Sequence, residues 1–564
     1  MGRPWEEGGK GEKGAAPGER GATVRGMPSS MLRQIRRLSP AFWAFLGLGM
    51  GMYGGVRGWG NWARGAALLF WWVLCRASGC GRARSLSWGL LPLLGMGWAA
   101  LRIFLLEAPF EEAFPRGRGY GEFSLTVVET PLAQGALAPW DSGGGHVVGE
   151  LRQVSGRPLR RRVLLREGTA SRQALLRGLP VGTRLQGRGS LVPVSQEGDP
   201  LSSWGDSLLS RRILRLLVLE EWRVAGRETG PALSLRQGLQ RLRELLGAWL
   251  VEGVDNPLDG QMLLALGLGA AECLPREWRQ RQAWAGTIHV FAISGMHVGM
   301  VALMLGALLP WTGLPLAWRR PLLALATTAY VVVTGASPSG MRALAMTLAV
   351  LFARMRWRAP SWRHAQGLSG LAALAANPLC LHNLGFLYSH AVVAILLLAA
   401  PLLRELQDTL LEREQWLPRE RRRPGPSLLA RWLAGALGAG LLAWLAALCL
   451  ALETNGRLGM LSPLVNLPLG LLISLALAFC PLRLLLGLLL PAGTRLWAAT
   501  AQTLIHLAGS LSLWGSQGNF CLPVASPPPW ARLLLLLSLA GLLLRWGGLR
   551  QERRYSGGRK ESKR

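Results

Sequence analysis

The chain has 564 residues, of which 50% are hydrophobic, and its mean hydropathy is +0.25. Long apolar runs in such a composition exclude an ordinary soluble globular protein and predict a polytopic α-helical membrane protein. The formal net charge is +31, nearly all of it from Arg, which indicates membrane-orientation signals more than a nucleic-acid surface.

The sequence offers no motif for a metal or a cofactor. Its seven cysteines are scattered, without the Cys-x-x-Cys spacing of a zinc ribbon or a redox pair. It also has no Gly-x-x-x-x-Gly-Lys-Ser/Thr phosphate loop, so an ATP-driven step would require a partner protein. We therefore expect neither a cofactor nor a resident metal ion.

The N-terminal part divides into a tail and a group of membrane helices. Residues 1–38 are rich in Gly and Arg and are predicted to form a basic, disordered cytoplasmic tail. Apolar runs at 40–55, 65–75 and 88–106 predict N-terminal transmembrane helices within residues 39–107. Arginines precede the first run and follow the second, so the third run leads out of the cytoplasm.

Residues 108–235 are predicted to form a small extracytoplasmic all-β domain inserted between membrane segments. Segments 122–129, 159–167 and 182–194 alternate apolar and polar residues, as half-buried strands do. A Gly-rich stretch at 140–150 is expected to be a loop between two of them. The expected architecture is a five-stranded barrel of the OB type, although the predicted strands carry few aromatic side chains for base stacking.

Residues 236–548 are predicted to form a transmembrane bundle with broken helices. Several apolar segments are shorter than the roughly 20 residues of a full span, which favours broken or re-entrant helices. The segments lie at 258–271, 287–310, 319–335, 339–353, 366–376, 385–403, 428–452, 459–479, 481–491, 496–514 and 531–546.

Arg-rich loops give this bundle its predicted orientation. Residues 354–364, 404–425 and the basic tail at 549–564 are expected to lie in the cytoplasm. An even number of crossings must join each pair of cytoplasmic segments. Between the last two, 428–452, 459–479, 481–491 and 531–546 supply four crossings if 496–514 lies on the outer face. Both termini are therefore predicted to be cytoplasmic.

Four stretches place polar side chains beside helix breaks at membrane depth. They contribute His289, Ser294, Gly295 and His297; Ser337, Pro338, Ser339 and Arg342; Asn377, Pro378 and Ser389; and Asn466. A charge at that depth costs about 2.5–3.5 kcal/mol on insertion scales, so such residues are rare. Unwound backbone is tolerated there only if it is buried in protein or lines a water-filled cavity. The pattern predicts one shared polar cavity, as in channels and transporters.

Three segments resemble the signature stretches of the ComEC family, the inner-membrane DNA-uptake channels of natural competence. They are HVFAISGMHVG (289–299), TGASPSGMRALAM (334–346) and NPLCLHNLGFLYS (377–389). The third departs from the family pattern, since the family's Asp is Asn383 and its Gln is Leu387. It keeps the positions Asn377, Pro378, Leu381, Gly385, Phe386 and Ser389.

The resemblance implies a channel that passes single-stranded DNA across the bacterial inner membrane during natural transformation. Many members add a metallo-β-lactamase-like nuclease domain, but this sequence contains no His-x-His-x-Asp-His stretch. We therefore expect the chain not to be an enzyme. The expected partners are single-stranded DNA, the lipid bilayer, a separate nuclease, a DNA receptor, a cytoplasmic helicase-like motor and a second copy of the chain.

Two other classes of function stay open. An intramembrane serine hydrolase would use Ser294 as nucleophile, with His297 or His390 as base. A secondary transporter would carry a small anion through the same polar cavity.

Overall fold

The computed structural model describes most of the chain. The described residues are 44–46, 48–49, 52, 91–113, 119–131, 146–194, 208, 210–415, 424–454, 456–489, 494–524, 535–536 and 538–543. The predicted tails at 1–38 and 549–564 lie outside them, as do most of the apolar runs at 40–55 and 65–75 and the flanks of 531–546. The third N-terminal run is a helix, α1 (Leu91–Ala113), as predicted.

Five strands form a closed barrel after α1. They are β1 (Gly119–Glu129), β2 (Val147–Val154), β3 (Arg157–Glu167), β4 (Thr183–Pro193) and β5 (Arg215–Arg227), with helix α2 (Ala170–Arg177) after β3. Around the barrel the order is β1-β2-β3-β5-β4, with β3 and β5 parallel and the other pairs antiparallel. Buried aliphatic side chains such as Leu125, Leu151 and Leu185 fill its interior.

The barrel contains all three predicted strands and two that the sequence analysis does not predict. β2 begins inside the Gly-rich stretch expected to be a loop, and no alternating pattern in the sequence marks β5. The predicted domain limits also extend too far, since α1 continues to Ala113 and the next helix begins at Pro231.

Gly187 allows β4 and β5 to approach closely. A Cβ at this position would lie 1.9 Å from the carbonyl oxygen of Glu221 on β5. The backbone of one strand would therefore have to shift. We expect Gly187→Ala to destabilise the barrel by about 2 kcal/mol, within the usual range for overpacking. Gly168→Ala is the matched control, because a Cβ there meets no atom within 4 Å.

Denaturant-dependent proteolysis of the barrel in the full-length protein measures this difference. Equal protease resistance in the Gly187→Ala and Gly168→Ala variants would show that the two strands can separate without cost.

Helices of ten or more residues make up most of the rest of the described chain, apart from a two-stranded sheet. They are α3 (Pro231–Val251), α4 (Pro257–Leu268), α5 (Arg276–Ala285), α6 (Gly295–Leu308), α7 (Leu316–Val333), α8 (Pro338–Met355), α9 (Trp362–Ala376), α10 (Leu384–Gln415), α11 (Pro424–Thr454), α12 (Ser462–Leu489) and α13 (Thr494–Gly515). β6 (Arg457–Gly459) pairs with β7 (Cys521–Pro523).

The main core of the bundle surrounds α4. Nearly every residue of α4 from Asp259 to Leu268 is buried, as expected for a helix that is apolar on all sides. Leu250 of α3, Ile473 of α12 and Ile505 of α13 belong to the same cluster. The short predicted segment 258–271 is therefore an enclosed helix at the centre of the packing.

The C-terminal helices correct part of the predicted crossing pattern. Residues 459–479 and 481–491 do not form two segments, because α12 runs unbroken from Ser462 to Leu489. The segment 496–514 packs lengthwise against α12 as α13, with Ala501 and Ala508 buried in the main core. The segment predicted to lie on the outer face is therefore packed into the bundle.

Four described segments are long and apolar enough to cross a membrane. They are Ile288–Thr312, Leu384–Asp408, Leu429–Leu448 and Ser462–Cys480. With the other apolar helices, they make this chain a helical membrane protein.

Candidate functional site

The first polar stretch forms the start of α6. A 3-10 turn, Ile288–Val290, is followed by four non-helical residues, and Ser294 is the N-cap residue of α6. His297 Nδ1 lies 2.9 Å from Ser294 Oγ and accepts the Ser294 N–H at 3.4 Å, so His297 closes this helix end. His297 is fully buried, and its Nε2 contacts no hydrogen-bond partner among the described residues. His289 is exposed.

Two hydroxyls of the second stretch hold the backbone of the first. Ser337 Oγ donates to the carbonyl oxygen of Ile293 at 3.2 Å, and Ser339 Oγ donates to the same oxygen at 2.6 Å. Ser337 also caps α8 by accepting the Gly340 N–H at 3.1 Å. Pro338 follows at the first helical position, where its missing N–H needs no partner. The first two breaks are therefore joined immediately before α6.

Arg342 connects α8 to α6 and α10. Its side chain is buried; Nε donates to Ser389 Oγ, and Nη1 lies 3.3 Å from Met346 Sδ. A Cβ on Gly295 would lie 2.7 Å from Nη2, so the guanidinium rests against the backbone at the start of α6. No carboxylate pairs with Arg342 within the described ranges, and its charge is held by neutral groups.

The beginning of the third stretch contacts Ser210, which precedes β5 of the barrel. Asn377 Nδ2 donates to the carbonyl oxygen of Ser210 at 2.7 Å, and Asn383 Nδ2 donates to Ser210 Oγ at 3.1 Å. Asn383 Oδ1 accepts the Phe386 N–H at 3.2 Å, which is a role that an Asp would fill equally well. Pro378 begins the short 3-10 helix between the two asparagines.

Two arginines reinforce this contact at the end of α9. Arg102 of α1 and Arg212, which precedes β5, both donate to the carbonyl oxygen of Ala376, at 2.9 and 2.7 Å. Burial, with the nearby charges of Arg102 and Arg162, lowers the pKa of Arg212. The barrel, α1 and the break after α9 therefore meet at one positively charged contact.

The end of the third stretch turns back into the bundle. Ser389 accepts from Arg342, and one turn earlier Gly385 is exposed. The ring of Phe386 lies 4.4 Å from that of His390, centroid to centroid. His390 is buried, and its Nδ1 lies 3.0 Å from Gln366 Nε2 on α9.

The fourth stretch contacts Gly286, which lies just before the first stretch. Asn466 Nδ2 lies 3.4 Å from the carbonyl oxygen of Gly286 and 2.9 Å from Ser462 Oγ. Ser462 Oγ donates to the same Gly286 oxygen at 3.4 Å. The start of α12 is therefore fixed to the end of α5.

All four stretches thus contribute to one region, which we call the polar junction. It consists of the segment 286–297 and the side chains that bind it, directly or through Arg342: Ser337, Ser339, Arg342, Ser389, Ser462 and Asn466. Asn377 and Pro378 lie instead at the contact with the barrel. A water-filled cavity at the junction stays a prediction.

A buried polar network also lies beside the junction, and no pattern in the sequence marks it. Thr287 Oγ1 lies 2.6 Å from both Gln282 Oε1 and Ser512 Oγ, and Ser512 also binds Gln282. All three side chains are fully buried and join α5 to α13. Gln282 is hard to recognise because α5, REWRQRQAWA, is polar throughout, which suits a surface helix equally well.

Two of the cavities between the described residues lie outside the polar junction. One, of about 590 Å³, lies between α5, α13 and β6; the other, of about 370 Å³, lies between α8 and α9. Among the described residues, no group of three or more His, Cys, Asp or Glu side chains is placed to hold a metal ion.

The fold and the site define a helical membrane protein that carries a five-stranded β-barrel and a polar junction at helix breaks. A model of the competence protein family matches residues 266–549, about half of the sequence, and the chain belongs to this family. This is the ComEC family, whose signature stretches the sequence resembles.

ComE operon protein 3 of Bacillus subtilis (strain 168) is 34% identical to the chain over 126 residues. These residues are 22% of this chain and 16% of that protein, so the match covers a small part of both. No solved structure shows significant similarity to the chain.

Proposed function

We propose that the chain is an inner-membrane channel that passes single-stranded DNA into the cytoplasm during natural transformation. The observation that carries the proposal is the polar junction, where side chains from all four polar stretches meet and the buried guanidinium of Arg342 links α8 to α6 and α10. A buried cation that no described carboxylate pairs with favours an anionic cargo. Membership of the competence protein family supports the same cargo.

The β-barrel belongs in this proposal as an extracytoplasmic domain of the OB class. Its strand order, its single parallel pair and the helix after β3 support that class. Its contact with the break between α9 and α10 supports a position of both on the same side of the membrane. With α11, α12, α13 and 531–546 as four crossings, both termini are cytoplasmic.

The chain would supply passage and leave the chemistry to other proteins. A DNA receptor would deliver the duplex, a separate nuclease would degrade one strand, and a cytoplasmic helicase-like motor would pull the other. The sequence supports a separate motor because it has no phosphate-loop motif. Self-association in the membrane would complete the assembly.

Uptake of labelled DNA tests the proposal in a competent host whose own channel gene is deleted and replaced by this chain. Wild type should restore DNase-protected label in the cytoplasm, and His289→Ala should abolish it at an unchanged protein level in the membrane. His364→Ala, at an exposed position of α9, is the matched control. Normal uptake by the His289→Ala variant would contradict the role of this residue in the path.

One observation favours a second candidate, an intramembrane serine hydrolase. The 2.9 Å contact between Ser294 Oγ and His297 Nδ1 has the geometry of a nucleophile and its base. A fluorophosphonate probe should label the wild type and spare Ser294→Ala if this candidate is correct. The channel proposal predicts no labelling of either protein. Saturable flux of a small anion into liposomes without DNA would instead support a transporter.

A further inference from the structure

The larger cavity lies beside the polar junction and is lined by cations and aromatic rings. We call it the Arg–Trp cavity, and its volume is about 590 Å³. Its lining includes Arg281, Trp284, Arg457, Trp514, Ser516 and Gln517. A volume of this size is typical of small-ligand sites.

Close packing fixes Arg457 over the ring of Trp284. Its guanidinium carbon lies 4.5 Å from the centre of that ring. Gly459 makes this approach possible, because a Cβ there would lie 2.7 Å from the carbonyl oxygen of Trp284. β6 is paired with β7, and Trp444 Nε1 donates to the Gly459 carbonyl oxygen at 3.1 Å. The cation is therefore held in a defined position.

The electrostatics of the cavity favour an anion. Arg281 and Arg457 are both exposed, and neither forms an ion pair within the described part of the chain. The lining contains no Asp or Glu. Guanidinium groups bind phosphate oxygens with two parallel hydrogen bonds, and two of them lining one cavity suit a phosphodiester.

An aromatic face accompanies the two cations. Trp514 is 46% exposed, and its ring is supported by Phe520 at 5.3 Å between centroids. A base can stack on such a ring, as bases do in sites for single strands. Ser516 and Gln517 beside it offer hydrogen-bonding groups to base edges, which a lipid tail would not use.

We infer that the Arg–Trp cavity binds one nucleotide unit of single-stranded DNA, with the phosphodiester on Arg281 and Arg457 and the base on Trp514. The inference rests on the proposed function and names a site for its cargo outside the signature stretches. α5 connects the two sites directly, because Arg281 and Trp284 precede Gly286 on the same segment. In the proposed orientation the cavity faces the outside, where an incoming strand arrives.

Binding of a fluorescein-labelled 12-mer of thymidine to the purified full-length protein tests the site by fluorescence anisotropy. The Arg281→Gln/Arg457→Gln double variant should weaken binding at least tenfold, and Trp514→Ala should weaken it about tenfold. Arg495→Gln is the matched control: it removes an exposed Arg at the opposite end of α13, about 28 Å from Trp514 by helical rise. It should weaken binding less than twofold.

Unchanged oligonucleotide affinity in the double variant would overturn the inference. So would a double variant that loses binding only to phosphatidylglycerol vesicles, since the cavity would then hold a lipid headgroup. Uptake in cells separates this failure from that of the proposed function. If the wild type takes up DNA but the double variant binds the oligonucleotide normally, the channel proposal stands and the nucleotide site is rejected. If binding depends on the cavity but the wild type takes up no DNA, the nucleotide site stands and the channel proposal is rejected.

Discussion

Replacing Arg342 by Gln is expected to lower the transformation frequency about a hundredfold. The guanidinium joins α8 to α10 through Ser389 and rests against Gly295 at the start of α6. Gln is shorter and neutral, so it removes both these contacts and the positive charge of the polar junction. A hydrogen bond to a charged group is worth about 1.5–3 kcal/mol, and a hundredfold loss corresponds to about 2.8 kcal/mol.

Two further variants separate charge from position. Arg342→Lys keeps the charge but lacks the planar group that reaches Ser389, so it should restore only part of the activity. Arg354→Gln removes an exposed arginine from the same helix and should transform normally. A transformation frequency for Arg342→Gln equal to that of Arg354→Gln would exclude Arg342 from the path.

A methyl group added at Gly295 should damage the junction, while one added a turn later should not. In Gly295→Ala, the new Cβ would lie 2.7 Å from Nη2 of Arg342 and would push the guanidinium away. In Gly299→Ala, the Cβ meets no atom within 4 Å. Alanine favours helix over glycine by about 1 kcal/mol, so helix propensity alone predicts that both variants are at least as stable as wild type.

We therefore expect Gly295→Ala to reduce uptake of labelled DNA about tenfold and Gly299→Ala to leave it unchanged, at equal protein levels in the membrane. The tenfold figure corresponds to about 1.4 kcal/mol, within the usual cost of overpacking. Equal uptake by the two variants would mean that the contact between α6 and Arg342 is not needed for passage.

The sequence predicts the helix breaks well because their causes are local. Ser337 and Pro338 combine an N-cap with a residue that suits only the first turn, and Asn377 and Pro378 repeat this pattern. Alternation likewise predicts three of the five strands. β2 escapes prediction because its first residues continue a Gly-rich stretch, and β5 because charged residues interrupt its alternation.

Contacts between distant segments explain what the sequence does not predict. Pro481 follows a Cys in α12 and suggests the end of a segment, yet the helix continues. Ile473 packs in the main core before Pro481, and Arg483 after it donates to the carbonyl oxygens of Leu250 and Glu252 at the end of α3. The pairing of Ser339 with the Ile293 carbonyl joins residues 46 positions apart, and no local pattern encodes it. The Arg–Trp cavity similarly depends on β6 passing α5 at Gly459.

Photo-crosslinking during uptake tests the central claim, passage of a single strand along the polar junction, most directly. A photoreactive phenylalanine would replace Met296, which is 39% exposed beside His297, and in a second protein Leu325, which is 66% exposed on α7. Labelled DNA entering the cell should form an adduct at position 296 and none at position 325. Normal uptake without an adduct at position 296 would contradict passage along the junction.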